Sequence, residues 1–204
     1  HLSAFSFHET KNIIAGEGGM LCINDERFIR RAEIIWEKGT NRAEFFRGEV
    51  NKYGWVDTGS SFLPSEVIAA FLWAQLEHMD DIQARRKHLW ELYFSNLSPL
   101  ALSPNSLIAL PGLPEYATNN AHMFYLVCKS LEQRTALIKH LKDNGIQAVF
   151  HYLSLHSSPY YTNKHDGRDL PECDRYADCL VRLPMFYDLK DEQVIEVCEI
   201  IKSY

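Results

Sequence analysis

The amino-acid sequence predicts a mixed α/β protein whose last hundred residues form an α+β unit. Three observations carry this reading. A strand, a polar loop, a second strand and a helix succeed one another at the front. A helical apolar pattern about thirty residues long occupies the middle. Strands then alternate with capped helices up to the C-terminus.

Taken in order, residues 2 to 7 read as a short buried strand, and a loop carries Lys11. "GGMLCIND" reads as the next strand, with Asn24 or Asp25 capping the helix after it. "ERFIRRAEIIWEKG" is that amphipathic helix, with Phe28, Ile29, Ala32, Ile35 and Trp36 on one face. Gly39 is suited to its left-handed stop. Residues 40 to 63 are polar and turn-rich, and read as a long irregular loop carrying Phe45, Phe46, Tyr53, Trp55 and Phe62. Loops of that length are uncommon unless they serve a function.

A long helix opens at Pro64 or Ser65, with Glu66 at its positive end. Ile68, Leu72, Leu76, Met79, Ile82, Leu89, Tyr93 and Leu97 recur along it, and a bend is expected near "MDDIQ". "AHMFYLVCK" is a strand, and Ser130 with Gln133 forms a capping box for a helix that ends at Asn144-Gly145. "IQAVFHYL" is a further strand, and "ECDRYADCLVRL" a short helix or helix-to-strand turn. The final helix opens at Asp188 or Leu189 and buries Val194, Ile195, Val197, Ile200 and Ile201. The predicted segments are 1–63, a connecting helix 64–98 and a small α+β domain 99–204.

Composition narrows the function. A 46% hydrophobic share supports a core, and the net charge of -6 without a basic run does not favour nucleic acid. Apolar runs such as "VIAAFLWA" are too short to span a bilayer. Five scattered cysteines do not make a disulfide framework, and Cys173, Cys179 and His165 match no zinc spacing. With no secretory signal at the start, a cytoplasmic protein is expected. No metal is expected either.

The stretch "SFHETKNIIAGEGGML", residues 6 to 21, raises the chemical question. A lysine after a strand is usually a solvated charge. As a nucleophile it works only when neutral, which requires burial or a neighbouring positive charge. An aldehyde cofactor such as pyridoxal phosphate captures such an amine and brings a phosphate that needs hydroxyl and N–H donors. Ser6 lies five residues before Lys11, and Gly16, Gly18 and Gly19 let backbone pass close to a ring. Strand-start glycines also serve plain turns and bulges.

That segment resembles the lysine region of the DegT/StrS family of sugar-nucleotide aminotransferases. Four further stretches resemble family segments in the same order: "PSEVIAAFLWAQLE", "NAHMFYLV", "GIQAVFHYLSLHSSPYY" and "RLPMFYDLKDEQVIEVCEII". The resemblance implies an α/β, aspartate-aminotransferase-like fold and pyridoxal 5'-phosphate as cofactor. Residues 1–63 would be the tail of the large cofactor-binding domain. Lys11 would hold the cofactor and move the proton during amino transfer, and Ser6 would bind its phosphate. A histidine in place of that lysine marks dehydratase relatives, so Lys11 favours transamination. The amino group would pass from L-glutamate to the 4-keto carbon of a dTDP-linked 6-deoxyhexose.

The resemblance also implies a homodimer, with the loop 45–62 as a contact and no nucleic-acid or membrane partner. His8, His151 and Tyr152 are candidate substrate residues, beside plainer readings as packing groups. His156 is a weaker candidate of the same kind, His122 reads as structural, and Glu17 as a turn residue or an organiser of the lysine loop. Many members carry Gly-Tyr-Asn-Tyr-Arg where this chain has Gly59-Ser60-Ser61-Phe62-Leu63. Ser61 stands at the asparagine that reaches a neighbouring phosphate, and Leu63 cannot replace the arginine. The family's pyridine-pairing aspartate precedes the lysine segment, so the chain is expected to resemble a C-terminal half that binds cofactor poorly by itself. A non-catalytic aminotransferase-like module, or an enzyme acting on another nucleotide sugar, remains an alternative.

Overall fold

The computed structural model describes all 204 residues, in two units: His1–Met79 and Asp80–Tyr204. In the first unit, β1 (Leu2–Ser6) and β2 (Gly19–Ile23) form an antiparallel pair with Ser6 opposite Gly19. A 3-10 turn, Glu26–Phe28, leads into α1 (Ile29–Trp36). Asp25 caps the turn by accepting from the Arg27 N–H. Two expectations fail here. All five residues of β1 are exposed, because within this unit it has only one partner strand and no covering helix. On α1 the buried residue is Ile34, while Phe28, Ile29 and Trp36 are exposed.

The stretch after α1 is not irregular. It holds α2 (Arg42–Phe46) and two isolated bridges, Glu37 to Ser61 and Thr40 to Trp55. Glu44 of α2 is buried, accepts from Arg30 Nε at 2.6 Å and from Asn41 at 3.3 Å, and its carboxyl is held below the usual range chiefly by Arg30. The order comes from Glu44, which receives Asn41 three residues earlier and Arg30 fourteen residues earlier in sequence.

The long central helix is two helices. α3 (Glu66–Glu77) starts at Ser65, whose hydroxyl accepts from the Ile68 N–H, and α4 runs Met79–Ala101. The break falls at His78, ahead of the bend expected near residues 79–83. None of α3 is buried, so its apolar pattern does not become a core within this unit.

The second unit carries a four-stranded antiparallel sheet in the order β3-β4-β6-β5: β3 (Ile108–Ala109), β4 (Tyr125–Cys128), β5 (Val149–Phe150) and β6 (Leu180–Arg182). β3 has no counterpart in the sequence reading, and two residues are too few for a period-2 signal. α5 (Leu131–Asp143) comes after β4, capped by the Ser130 hydroxyl at the Gln133 N–H. The Gln133 side chain accepts from the Lys129 N–H, one residue before the position a capping box predicts. α6 (Pro171–Cys179) leads into β6, and α7 (Asp191–Lys202) closes the chain.

One core holds this unit together. Leu89, Tyr93 and Leu97 of α4 meet Leu126 and Val181 of the sheet, Leu137 and Leu141 of α5, and Val194, Val197, Cys198 and Ile201 of α7. Of the predicted α7 stripe, Ile195 is exposed instead, and Cys198 takes the buried turn position. The Tyr93 and Phe124 rings stack at 5.0 Å, and the Tyr93 hydroxyl donates to the Pro184 carbonyl at 2.9 Å. The cysteines are all free, and burial pushes the thiols of Cys128 and Cys198 up to about 11 and about 12, so they behave as apolar core groups. No helix is long and apolar enough to cross a membrane.

Polar clamps tie α4 to its surroundings. Gln83 donates to the Asn120 carbonyl, and Arg86, itself buried, donates to the carbonyls of Ala121 and His122. Three successive carbonyls are thus held by one helix, which keeps the buried Ala121 at a left-handed φ of 51°. At the other clamp, Asp191 receives Arg85 at 2.7 Å and His88 at 2.6 Å, and Arg85 also donates to the Leu189 carbonyl.

Two outcomes are expected. Leu97→Ala should lower stability by about 2–5 kcal/mol in urea unfolding, because the site is fully enclosed by α5, α7 and the sheet. Asp191 is held below its ordinary value, first by His88 and then by Arg85. The pair therefore contributes above the unfolded carboxyl value of about 3.9 and is lost as pH falls below it. Asp191→Asn should lower the neutral-pH stability by no more than about 1 kcal/mol, as for an exposed pair, and flatten the acid side of the stability profile.

Candidate active-site residues

The lysine predicted from sequence sits at the tip of a closed turn. Beyond the β1–β2 pair, Phe7 donates its N–H to the Gly18 carbonyl at 2.8 Å and accepts from the Ala15 N–H at 2.7 Å. Glu9 then donates to the Gly16 carbonyl at 2.8 Å, and Lys11 to the His8 carbonyl at 2.9 Å. Phe7 and Ala15 are buried while Lys11 is exposed, so an anchored base presents an open amine. Gly16 has φ +79°, a conformation that disfavours any side chain. At Gly19 a Cβ would lie 2.9 Å from the Phe5 carbonyl oxygen, so the strand opposite Ser6 must be bare.

His8 organises the turn. Its Nδ1 accepts from the Thr10 N–H at 3.2 Å and lies 3.0 Å from the Thr10 hydroxyl. Nδ1 is therefore the unprotonated nitrogen, and Nε2–H faces Glu17 at 3.5 Å. This gives Glu17 a partner in the lysine loop, the organising alternative. Ser6, exposed at the end of β1, accepts weakly from the His8 N–H at 3.4 Å, which leaves its O–H free to donate. Ser6, His8 and Lys11 thus share one turn.

Ser61 is placed by a different device in the same unit. Gly39 and Gly59 cross in contact: a Cβ on Gly39 would lie 2.0 Å from the Asp57 carbonyl oxygen, and one on Gly59 2.2 Å from the Gly39 nitrogen. Around them Ser60 donates to Ile35 at 3.0 Å, Lys38 to Ser60 at 3.1 Å and Phe62 to Trp36 at 3.2 Å. Ser61 is held exposed on a fixed backbone, with Trp55 and Phe62 also exposed. On the same unit a cavity of about 330 Å³ is lined by Arg27, Arg30 and Arg31, each ion-paired: with Asp25, Glu44 and Asp57. This pairing leaves little charge for a polyanion.

His151 and Tyr152 lie in the second unit, just after β5, with rings 5.2 Å apart. Tyr152 is exposed and His151 half-buried. Burial first, and then the Arg182 charge, pushes the His151 imidazole below its ordinary value. Arg182 was not singled out in the sequence, where it falls in the stretch read as a short helix or helix-to-strand turn; its place opposite Val149 needs the pairing of β5 with β6. His156 sits apart from these, its Nε2 3.3 Å from Asp174 and its ring 5.1 Å from that of His165. No group of three or more His, Cys, Asp or Glu is arranged to hold a metal ion.

Comparison with known proteins fixes the family. The model of the DegT/DnrJ/EryC1/StrS aminotransferase family matches residues 1–202, and the chain belongs to that family. Among solved structures it is similar to S. venezuelae DesV, at 27% identity and TM-score 0.85, covering 99% of this chain and 51% of that one. PseC of Helicobacter pylori, an aminotransferase involved in pseudoaminic acid biosynthesis, matches at 19% identity and TM-score 0.84, over 99% and 52%. Spr1654 of Streptococcus pneumoniae, solved in apo, PLP and PMP forms, matches at 24% and 0.83, over 99% of this chain and half of its own. The last two, below 25% identity, speak to fold alone. The fold is the family's α/β, aspartate-aminotransferase-like one, and the chain spans about half the length of the structures it matches.

The crossing glycines yield a test. Gly59→Ala should cost more than about 1 kcal/mol, because backbone and not a flexible side chain blocks the new methyl. Amide exchange at Ser60 and Phe62 should accelerate in the variant, reporting the loosened Ser61 loop.

Proposed function

We propose that the complete protein is a pyridoxal 5'-phosphate-dependent aminotransferase. It moves the amino group of L-glutamate to the 4-keto carbon of dTDP-4-dehydro-6-deoxy-D-glucose. The products are dTDP-4-amino-4,6-dideoxy-D-galactose and 2-oxoglutarate, for surface polysaccharide such as enterobacterial common antigen. The observation that carries this reading is Lys11, open at the tip of an anchored glycine-closed turn with Ser6 at its base, in a chain of this aminotransferase family.

The residues present fit the cofactor. Lys11 offers an accessible amine for its aldehyde and Ser6 a free O–H for a phosphate oxygen, while the bare Gly19 keeps the strand opposite Ser6 clear. The bound cofactor supplies an electron sink for the carbanion left when the amino-acid carbon loses its proton. Lys11 Nζ would take up that proton and return it, which requires the neutral amine. His8 borders the turn, with its Nδ1 committed to Thr10 and its Nε2–H directed to Glu17, so it positions the loop more than it exchanges protons. Ser61, on its fixed loop, is the hydroxyl offered to the phosphate of a second copy in a homodimer. His151 and Tyr152 border the sugar. The finer choice of a dTDP-linked substrate rests on "KYGWVDTGSSFLPSE", which resembles the transaminase that makes this amino sugar in enterobacteria. A cytoplasmic location accords with such a substrate.

The test uses the complete native protein with glutamate and the dTDP-4-keto sugar, monitoring 2-oxoglutarate. Lys11→Ala should reduce turnover by at least about 10³-fold. Borohydride treatment of the wild type should fix the cofactor's mass on the peptide holding Lys11. Undiminished turnover in the variant would remove the proposal.

A further inference from the structure

Past β5 the chain of the second unit folds into a run of turns around a cavity of about 310 Å³. Tyr161 donates its N–H to the Ser158 carbonyl at 3.0 Å, and Lys164 donates to the Tyr161 carbonyl at 2.8 Å. Gly167, at φ +81°, turns the chain back, and His165 Nε2 donates to the Arg168 carbonyl at 2.8 Å. A carbonyl only accepts, so that nitrogen carries a proton. These bonds set Lys164, His165 and Arg168 on the cavity wall. His156 joins them, its ring 5.1 Å from that of His165. The two imidazoles, with 16% and 18% of their side chains exposed, are fixed parts of the wall. Leu155 and Leu170 add apolar surface to it.

No carboxylate lines this cavity. Two acids meet the wall residues from outside it: Asp166 lies 3.5 Å from both His165 Nε2 and Arg168 Nε, and Asp174 lies 3.3 Å from His156 Nε2. Arg168 touches Asp166 through Nε alone, which leaves its terminal fork open. Lys164 is held by rings and not by an acid, its Nζ 3.5 Å from the Tyr160 centroid and 5.5 Å from that of Tyr161. The arginine-lined cavity of the first unit differs, because Asp57 forms part of its wall and each of its arginines is paired.

We propose that the cavity of the second unit binds a phosphate or diphosphate group carried on a small organic molecule, with the Lys164 ammonium and the Arg168 guanidinium as its charge partners. A dianion with several oxygens suits this pair: a guanidinium fork takes two oxygens, and a lysine ammonium acts as a point charge. The volume lies at the lower end of small-molecule pockets, about 300–1,000 Å³. The leucines and Tyr161 offer an apolar wall to the body that carries the phosphate. Two sources share this chemistry: the diphosphate of the sugar nucleotide, and a phosphorylated molecule separate from the reaction. Only the first rests on the function proposed above.

Cys173, an exposed free thiol on the cavity wall, reports occupancy independently of activity. The complete protein, loaded with cofactor, is alkylated with iodoacetamide, and the peptides holding Cys173 and Cys22 are followed by mass spectrometry. Pyrophosphate should slow the alkylation of Cys173 with a saturable midpoint and leave Cys22, in the first unit, unchanged. Sodium chloride at equal ionic strength should not reproduce the effect. In Lys164→Met and in Arg168→Met the midpoint should rise about tenfold, the worth of one charge-assisted hydrogen bond. No protection in the wild type, or equal protection by sodium chloride, overturns the site, and this measurement decides even if the variants fold poorly. Midpoints unchanged in both variants overturn the assigned partners. The sources are separated by dTDP and by steady-state kinetics. If the diphosphate is the substrate's, dTDP protects Cys173 and Lys164→Met raises KM for the keto sugar by a like factor. If it belongs to a separate molecule, pyrophosphate protects while that KM is unchanged in the variant. Protection in a protein without transaminase activity keeps the site and removes only the function proposed above.

Discussion

The hydrogen bonds that Phe7 exchanges with Gly18 and Ala15 are the constraint on which the lysine turn depends. They close the turn just beyond the β1–β2 pair and bury Phe7 and Ala15 beneath it. With that base fixed, an exposed lysine at the tip is held by backbone geometry, not by side-chain packing. The role proposed for Lys11 needs an amine left open in this way. The surrounding groups serve the same end: His8 spends its Nδ1 on Thr10 and faces Glu17, and Gly16 turns where a side chain would be strained.

Rigidity comes by different physical means in the two units. In the first, glycines let backbone touch backbone, as at Gly39 and Gly59, and Ser61 is exposed on a loop that is nonetheless fixed. In the second, a conventional core does the work. α4 contributes its buried stripe and, through Gln83 and Arg86, grips three successive carbonyls ahead of β4. Arg86 is satisfied by carbonyls alone. Arg182, by contrast, has its Nε buried and unpaired.

The helices were largely legible because their signals are local. The Ser65 and Ser130 caps, the buried stripe of α4 and the Gly39 stop each need only residues within a few positions. The misread elements depended on neighbours. β1 and α1 read as buried because their residues are apolar, but burial belongs to whatever packs against them, and within the first unit little does. α2 was hidden because five residues are too short for a period, and its order comes from Glu44 meeting Arg30 fourteen residues away in sequence.

Chemical identity obeyed the same division. By itself the sequence determined the ordered segments through which the chain resembles its family, because a serine, a lysine five residues on and a glycine-rich return are fixed in number and order along the chain. It also determined which residue types are available for the chemistry. Only the tertiary structure decided their states: which nitrogen of His8 is committed, that Ser61 sits on a locked loop, and that Lys164 and Arg168 line one cavity. The physical reason is that spacing along a chain is covalent, whereas protonation and hydrogen bonding depend on the groups that folding brings alongside.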